Sequence, residues 1–346
     1  MKFGSRSMEA KADNQGAWRM LLPAMEASTE GKMMEISSGK DRLQLVDILV
    51  GKVWLFSGQS NMDFALSRAI GGREEVASAG GNPLLRVCNL SAPSTDGKPY
   101  DEGTLARLNE KALFVGSWET ASPSSAAPVS AIAWWVGKGI QLKSAVPVGI
   151  VENAVGGSGT EAWLPRDILA AKAEYRALLG DDWAKDPHIS GWSKGRVKLN
   201  LGGAHTVNHP FRPGMLFESG VRDWSGFPFE AVIWYQGETN AESPDDAWNA
   251  GLIRDLINGW RQVLGNRDLP FVMVQLPRIG GNDPLRRYWP QYREVQSRVA
   301  KEMPGVSLVV TSDLGWDSPD VHPPDKRPVA DRILQELSKP VWKTNR

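Results

Sequence analysis

The sequence holds one cysteine, Cys88, in 346 residues, so no internal disulfide and no multi-cysteine metal cluster is available to it. Its four histidines leave little material for a zinc site. Charge of one sign is not in excess. Lys+Arg and Asp+Glu number 40 each, giving zero net charge, and there is no basic stripe of the kind a nucleic-acid binder carries. No apolar run approaches the ~18 residues that span a bilayer. Residues 1–14 are polar and of mixed charge, without the apolar core of a signal peptide, so export cannot be read from this N-terminus. These absences argue against nucleic-acid, membrane and metal partners. What remains is ordinary globular composition, 41% hydrophobic and 23% charged, with room for one large domain or two ordinary ones at roughly 100–200 residues each. One count stands out: 15 Trp against 5 Tyr. Flat amphipathic rings suit sugar faces, although most tryptophans fill cores and interfaces.

Three short β-like runs open the chain, at 18–22, 33–36 and 43–49, separated by Gly-, Ser- and Asp-containing turns. They read as part of a β module too small to stand alone, and residues 1–50 are taken as an N-terminal arm. From Gly51 to the end, short Val- and Ile-rich runs alternate with amphipathic patterns. The expected strands are 53–56, 146–151, 231–235, 271–275 and 306–311, nearly continuous in apolarity, as in strands buried on both faces. The expected helices are 130–144, 246–264, 292–303 and 328–337. This order predicts an α/β fold with a doubly wound, mostly parallel sheet of five strands. Residues 178–230 are the least regular stretch, rich in Gly, His, Asn and Pro around Trp183, Trp192 and Trp224. They read either as a loop-rich excursion near the site or as a surface insertion.

In open α/β sheets the ligand crevice lies beyond the carboxyl ends of the strands. Four polar clusters stand there. Ser57-Gly58-Gln59-Ser60-Asn61-Met62 follows the first strand and Gly156-Gly157-Ser158 the second. Gln236-Gly237-Glu238-Thr239-Asn240 follows the third, and Asp320-Val321-His322-Pro323 the last. Each alone is an unremarkable polar loop; together they supply the parts of a serine hydrolase. A serine hydroxyl is a weak nucleophile until neutral imidazole takes its proton. A carboxylate on the other ring nitrogen fixes the tautomer and stabilises the imidazolium, and in an extended segment Asp320 lies on the same side as His322. The tetrahedral oxyanion needs aimed donors, which an asparagine amide and the N–H groups of a glycine turn provide. An α/β-hydrolase elbow would read Gly-x-Ser-x-Gly; here Met62 fills the last position.

These blocks resemble the SGNH hydrolase superfamily, and more closely the sialate O-acetylesterase branch of carbohydrate esterases. The stretches that carry the resemblance are Val53–Met62, Gly156-Gly157-Ser158 with Glu161-Ala162-Trp163, Val232–Ala241 and Asp320–Pro323, within a match spanning about residues 15–335. The resemblance implies a three-layer, flavodoxin-like SGNH catalytic domain over 51–346. It implies Ser60 as nucleophile, His322 as base and Asp320 as its orienting acid. Gly157 and Asn240 complete the oxyanion hole with the Ser60 N–H, with Gly156 an alternative to Gly157. Many superfamily members carry Asp three residues before His, where this chain has Pro319. Asp317 or a backbone carbonyl therefore stays open as the orienting group. The resemblance implies no cofactor, an O-acetylated carbohydrate substrate, and a periplasmic or secreted location. It also implies that residues 17–50 are the last strands of a longer β module, so that the chain is short at its N-terminus.

Around the site, Gln59, Gln236 and Glu238 are read as supports of the strand-end loops, and the resemblance of Arg212–Met215 to a family stretch implies Arg212 as a substrate contact. His205 and His209 have the i, i+4 spacing of a helical metal pair, but Gly203, Asn208 and Pro210 argue against a helix there. Three functions follow for comparison. The first is an esterase removing O-acetyl groups from sialic acid or an acetylated polysaccharide such as xylan. The second is a non-catalytic carbohydrate-binding protein. The third, a nucleotide-binding domain, needs a glycine-rich phosphate turn that Ser57–Met62 does not offer. Oligomeric state is not legible.

Overall fold

The structure is a computed structural model describing residues 1–342. Its main sheet grows from the runs that carry Val and Ile. The strand β5 (Lys52–Gly58) lies at the centre and is buried from Trp54 onward. It is flanked by β8 (Val148–Glu152) on one side and β9 (Val232–Tyr235) on the other, both buried at every residue. Beyond β9 come β10 (Phe271–Val274) and β11 (Val306–Val309), all parallel. Beyond β8 come β6 (Leu85–Asn89), parallel, and β7 (Trp118–Thr120), antiparallel.

The sheet therefore has seven strands in the order β11-β10-β9-β5-β8-β6-β7, which corrects the expected five. The two extra strands escape a hydrophobicity reading for separate reasons. In β6 the apolar run is broken by Arg86, whose guanidinium leaves the sheet to pair with Asp47 at 2.6 Å. In β7 all three residues are exposed at the sheet edge, so nothing forces them to be apolar.

Four long helices cover the sheet: α1 (Ala131–Ser144), α3 (Asp246–Val263), α4 (Trp289–Glu302) and α5 (Arg327–Glu336), with α2 (Gly191–Leu201) rising from the 178–230 excursion. Their starts have local chemical causes. The Ser130 hydroxyl accepts from Ala133 N, the Ser190 hydroxyl from Ser193 N and the Asp245 carboxylate from Trp248 N, each satisfying an otherwise orphaned first-turn N–H. Helix α1 packs on α5, and α3 on α4. Trp163, Trp234 and Trp260 meet in the core with ring centroids 5.6–6.1 Å apart, and the Trp260 indole N–H donates to the Trp163 carbonyl at 2.8 Å. Much of the tryptophan excess is thus structural.

The N-terminal segment forms a separate four-stranded antiparallel sheet, β2-β1-β3-β4, from β1 (Lys2–Phe3), β2 (Arg6–Ser7), β3 (Ser28–Ser38) and β4 (Asp41–Val50). The expected run at 18–22 is not a strand; its backbone finds no neighbour. Leu43, Leu45 and Val46 on β4 are exposed. Among the described residues no helix is long and apolar enough to cross a membrane.

Candidate functional site

The strand order reverses at β5, which separates β8 from β9, and this is where the carboxyl ends of a parallel sheet open a crevice. The chain leaves β5 through Gly58 at φ +137°, where a Cβ would stand 2.0 Å from the Tyr235 carbonyl oxygen. Only glycine lets β9 come that close. A tight turn follows, in which Met62 N and Asp63 N both donate to the Gln59 carbonyl at 2.8 and 2.9 Å. It presents Ser60 at the floor of a cleft of about 570 Å³. Among the described residues the Ser60 hydroxyl and backbone N–H have no hydrogen-bond partner.

His322 lines the same cleft. Its Nδ1 lies 2.8 Å from Asp320 Oδ1, and that oxygen also accepts from the His322 backbone N–H at 3.0 Å. Neither Asp317 nor the Pro319 carbonyl takes that place. The acid loop is held in turn, for the Trp316 indole N–H donates to the Asp320 carbonyl at 2.7 Å and Asp320 N to Ser318 Oγ at 3.1 Å. With Nδ1 engaged, Nε2 is the ring nitrogen left to serve as a base. Ser60 and His322 make no direct hydrogen bond here. Such contacts commonly tighten only when substrate is bound.

After β8 the chain turns through Gly156 and Gly157. Gly157 sits at φ +73°, and a Cβ there would be 2.3 Å from Trp192 Cη2. Its carbonyl accepts from Thr239 Oγ1 at 3.1 Å, and the Gly156 carbonyl from Thr95 Oγ1 at 2.8 Å. The Gly156 N–H faces the Asp63 carboxyl. The Gly157 N–H has no acceptor among the described residues. It and the Ser60 N–H are the two unengaged donors in this part of the cleft wall.

Asn61, fully buried, joins three strand ends. Its Nδ2 donates to Glu238 Oε1 after β9 and, at 2.9 Å, to the Val321 carbonyl next to His322, while its Oδ1 accepts from Lys326 Nζ. The last strand, β11, lies three positions from β5, on the order of 14 Å at ~4.8 Å per strand. The Asn61 bonds are what tether the returning histidine loop beside the nucleophile turn. Lys326 is 1% exposed, stacks its ammonium over Phe64 at 4.7 Å, and is pushed down to about 7 by loss of water. Burial conversely raises Glu238, and the neighbouring Asn61, His322 and Lys326 offset part of that rise.

The structure places the remaining expected residues as follows. Gln59 lines the cleft; with its amide nitrogen toward Ser158 O (3.3 Å) and Glu238 Oε2 (3.2 Å) it knits the loops together. Gln236 is buried and donates to Asn240 Oδ1 at 2.7 Å. Asn240 is near the site but turned from it. Its Nδ2 donates to Glu161 Oε1 at 3.1 Å, its Oδ1 accepts from Thr160 N at 2.9 Å, and Thr239 takes its expected place on the cleft wall. Glu161 is itself raised by burial, with the Asn240 bond working against the rise. Arg212 is not in the cleft. It borders a separate cavity of about 520 Å³ and donates to Asn208 Oδ1 at 2.6 Å. His209 is buried and pushed down to about 3, its Nδ1 accepting from Phe211 N at 3.0 Å. It is a structural imidazole.

The sequence reading missed Lys326, Thr95 and Thr239, and the cleft residues Trp192, Arg196, Arg68 and Arg286. Trp192 and Arg196 had a usable signal. They are four apart on α2, and the guanidinium packs 5.0 Å from the indole centroid. Lys326 had none, since a lysine on a helix start ordinarily faces water.

The sheet carries a serine after its central strand, a glycine turn after the next and an Asp-x-His loop after the last, the arrangement that the resemblance to SGNH-type carbohydrate esterases leads one to expect. Residues 195–329 match the family model described as carbohydrate esterase, sialic acid-specific acetylesterase. The chain is similar to the sialate O-acetylesterases. It is 25% identical to that of Mus musculus over 340 residues, covering 91% of this chain and 62% of the mouse protein, and 23% identical to that of Homo sapiens over 353 residues, covering 94% and 60%. The chain thus spans about three-fifths of the length of these relatives. Among solved structures, a carbohydrate acetylesterase from Xanthomonas citri superposes with a TM-score of 0.74 at 28% identity, over 97% of this chain and 66% of that one.

Proposed function

We propose that the protein is a serine esterase that removes O-acetyl groups from carbohydrate through an acetyl-enzyme. Ser60 Oγ attacks the acetyl carbonyl as His322 Nε2 takes its proton. The oxyanion is met by the N–H groups of Ser60 and Gly157. The imidazolium, steadied by Asp320, returns the proton to the departing sugar hydroxyl. A water activated by the same nitrogen then hydrolyses the acetyl ester, and no external cofactor enters the balance.

The observation that carries this reading is the Asp320–His322 contact at 2.8 Å in a cleft that also holds an unpaired Ser60 hydroxyl and an unpaired Gly157 N–H. The test is acetate release from p-nitrophenyl acetate, acetylated sialic acid and acetylated xylan. Ser60→Ala should lower kcat by ~10³-fold or more on whichever substrates turn over. Equal rates for wild type and variant on all of them would sink it.

A further inference from the structure

A third cavity, of about 410 Å³, lies beside the cleft between the end of β10 and the start of α4. Four of its lining residues are arginines, Arg278, Arg286, Arg287 and Arg293, against one carboxylate, Asp283. The chain as a whole is neutral, so this is a local concentration of charge. Two of the four are spoken for. Arg286 lies 3.6 Å from Asp283 and 3.7 Å from Glu242, and Arg293 donates to the Pro277 carbonyl at 3.2 Å. The Arg278 and Arg287 guanidiniums have no acceptor among the described residues; Arg287 rests on the Tyr288 ring at 4.5 Å. Behind them, the indole N–H of the buried Trp289 has no hydrogen-bond partner among the described residues.

Like charges gathered around one hollow repel until an anion enters. All four are arginine and none lysine, and the planar guanidinium fork matches a carboxylate with two parallel bonds. Arg286 lines both this cavity and the cleft that holds Ser60. A ligand seated in the cleft can therefore continue past Arg286 into the basic hollow, provided it is longer than one sugar. Resting on the esterase reading above, we infer that the substrate is an O-acetylated polysaccharide carrying uronate residues. Its acetylated sugar lies at Ser60, and the carboxylate of a neighbouring sugar lies among Arg278, Arg286, Arg287 and Arg293.

The test separates this subsite from the chemistry. The full chain bearing Ser60→Ala is titrated by calorimetry with an unacetylated oligogalacturonate, with a neutral xylo-oligosaccharide of equal length and with inorganic phosphate. The same titrations follow in the Ser60→Ala background with Arg278→Gln and Arg287→Gln, both exposed positions, checked by thermal unfolding. The oligogalacturonate should bind at least tenfold more tightly than the other two, and the double substitution should weaken it ~10-fold or more while leaving the xylo-oligosaccharide unchanged. Equal affinity for the neutral chain, phosphate binding as tight as the uronate, or no effect of the substitutions would each overturn the inference. On p-nitrophenyl acetate the two arginine substitutions in the wild-type background should leave kcat/KM unchanged. A wild type inert on every acetate ester that still binds the uronate through these arginines would refute the esterase reading and leave the subsite standing.

Discussion

Asp320 Oδ1 accepts twice from one residue, from the His322 imidazole at 2.8 Å and from its backbone N–H at 3.0 Å. The carboxylate therefore fixes both the loop and the ring that the loop carries. Asp320→Asn keeps an oxygen for the backbone but presents an amide that can reverse the tautomer. It should lower kcat on p-nitrophenyl acetate by ~10²-fold or more, toward the lower end of what a buried acid gives because Asp320 is half-exposed. Asp317→Asn should change kcat less than about twofold. If the two substitutions cost the same, Asp320 is not the orienting acid.

The two glycines of the second block differ in what a methyl group would meet. At 157 it would collide with Trp192 Cη2 at 2.3 Å from a φ of +73°, whereas at 156 the nearest atom is Ser60 Cβ at 3.6 Å, an ordinary contact. Gly157→Ala should displace the unpaired N–H and lower kcat by ~10²–10³-fold, the range for an oxyanion donor. Gly156→Ala should cost less than about tenfold. The reverse order, measured by steady-state kinetics on p-nitrophenyl acetate, would move the oxyanion donor to Gly156.

Lys326 predicts a pH dependence of stability. Burial lowers its ammonium from 10.5 to about 7. Between those values the unfolded chain holds a proton that the folded chain has released, so the folded state gains stability as pH rises from 7 toward 10.5. Below pH 7 both states are charged and the full cost of burying the ammonium is felt. Lys326→Met removes this linkage. In urea unfolding the wild type should gain about 2 kcal/mol on the variant between pH 7 and pH 9. Parallel curves would show that Lys326 stays charged in the fold.

Much of this architecture is written in the residues, and the gaps have physical causes. Four of the five strands of the sequence reading lie in the sheet interior where both faces must be apolar, which is the pattern hydrophobicity detects, and the fifth, β11, is a half-buried edge strand that keeps Val306, Leu308 and Val309. β6 hides behind Arg86, and β7 is exposed and short. Helix starts were readable where a Ser or Asp caps them, as at Ser130 and Asp245. Within the site, Ser60, Gly157 and His322 stand out because the proposed nucleophile, close turn and base each demand a residue type. Asn240 and Thr239 sit side by side in one polar turn, and which of them faces the cleft depends on the backbone twist after β9 rather than on composition. Arg212 is expected at the substrate only because the stretch Arg212–Met215 resembles one in the family. The fold instead sets its guanidinium in a separate cavity, bonded to Asn208, a long-range outcome that no local pattern encodes.

The site draws its parts from very different points in the chain. Ser60 stands within the first fifth of the sequence, while His322 and Lys326 arrive with the last α/β unit and are drawn back across the sheet by Asn61. On the ribosome, where the N-terminal part emerges first, Ser60 is made long before His322, its proposed base. On the proposed mechanism, a nascent chain lacking its final few dozen residues would hold a hydroxyl no more reactive than that of any surface serine.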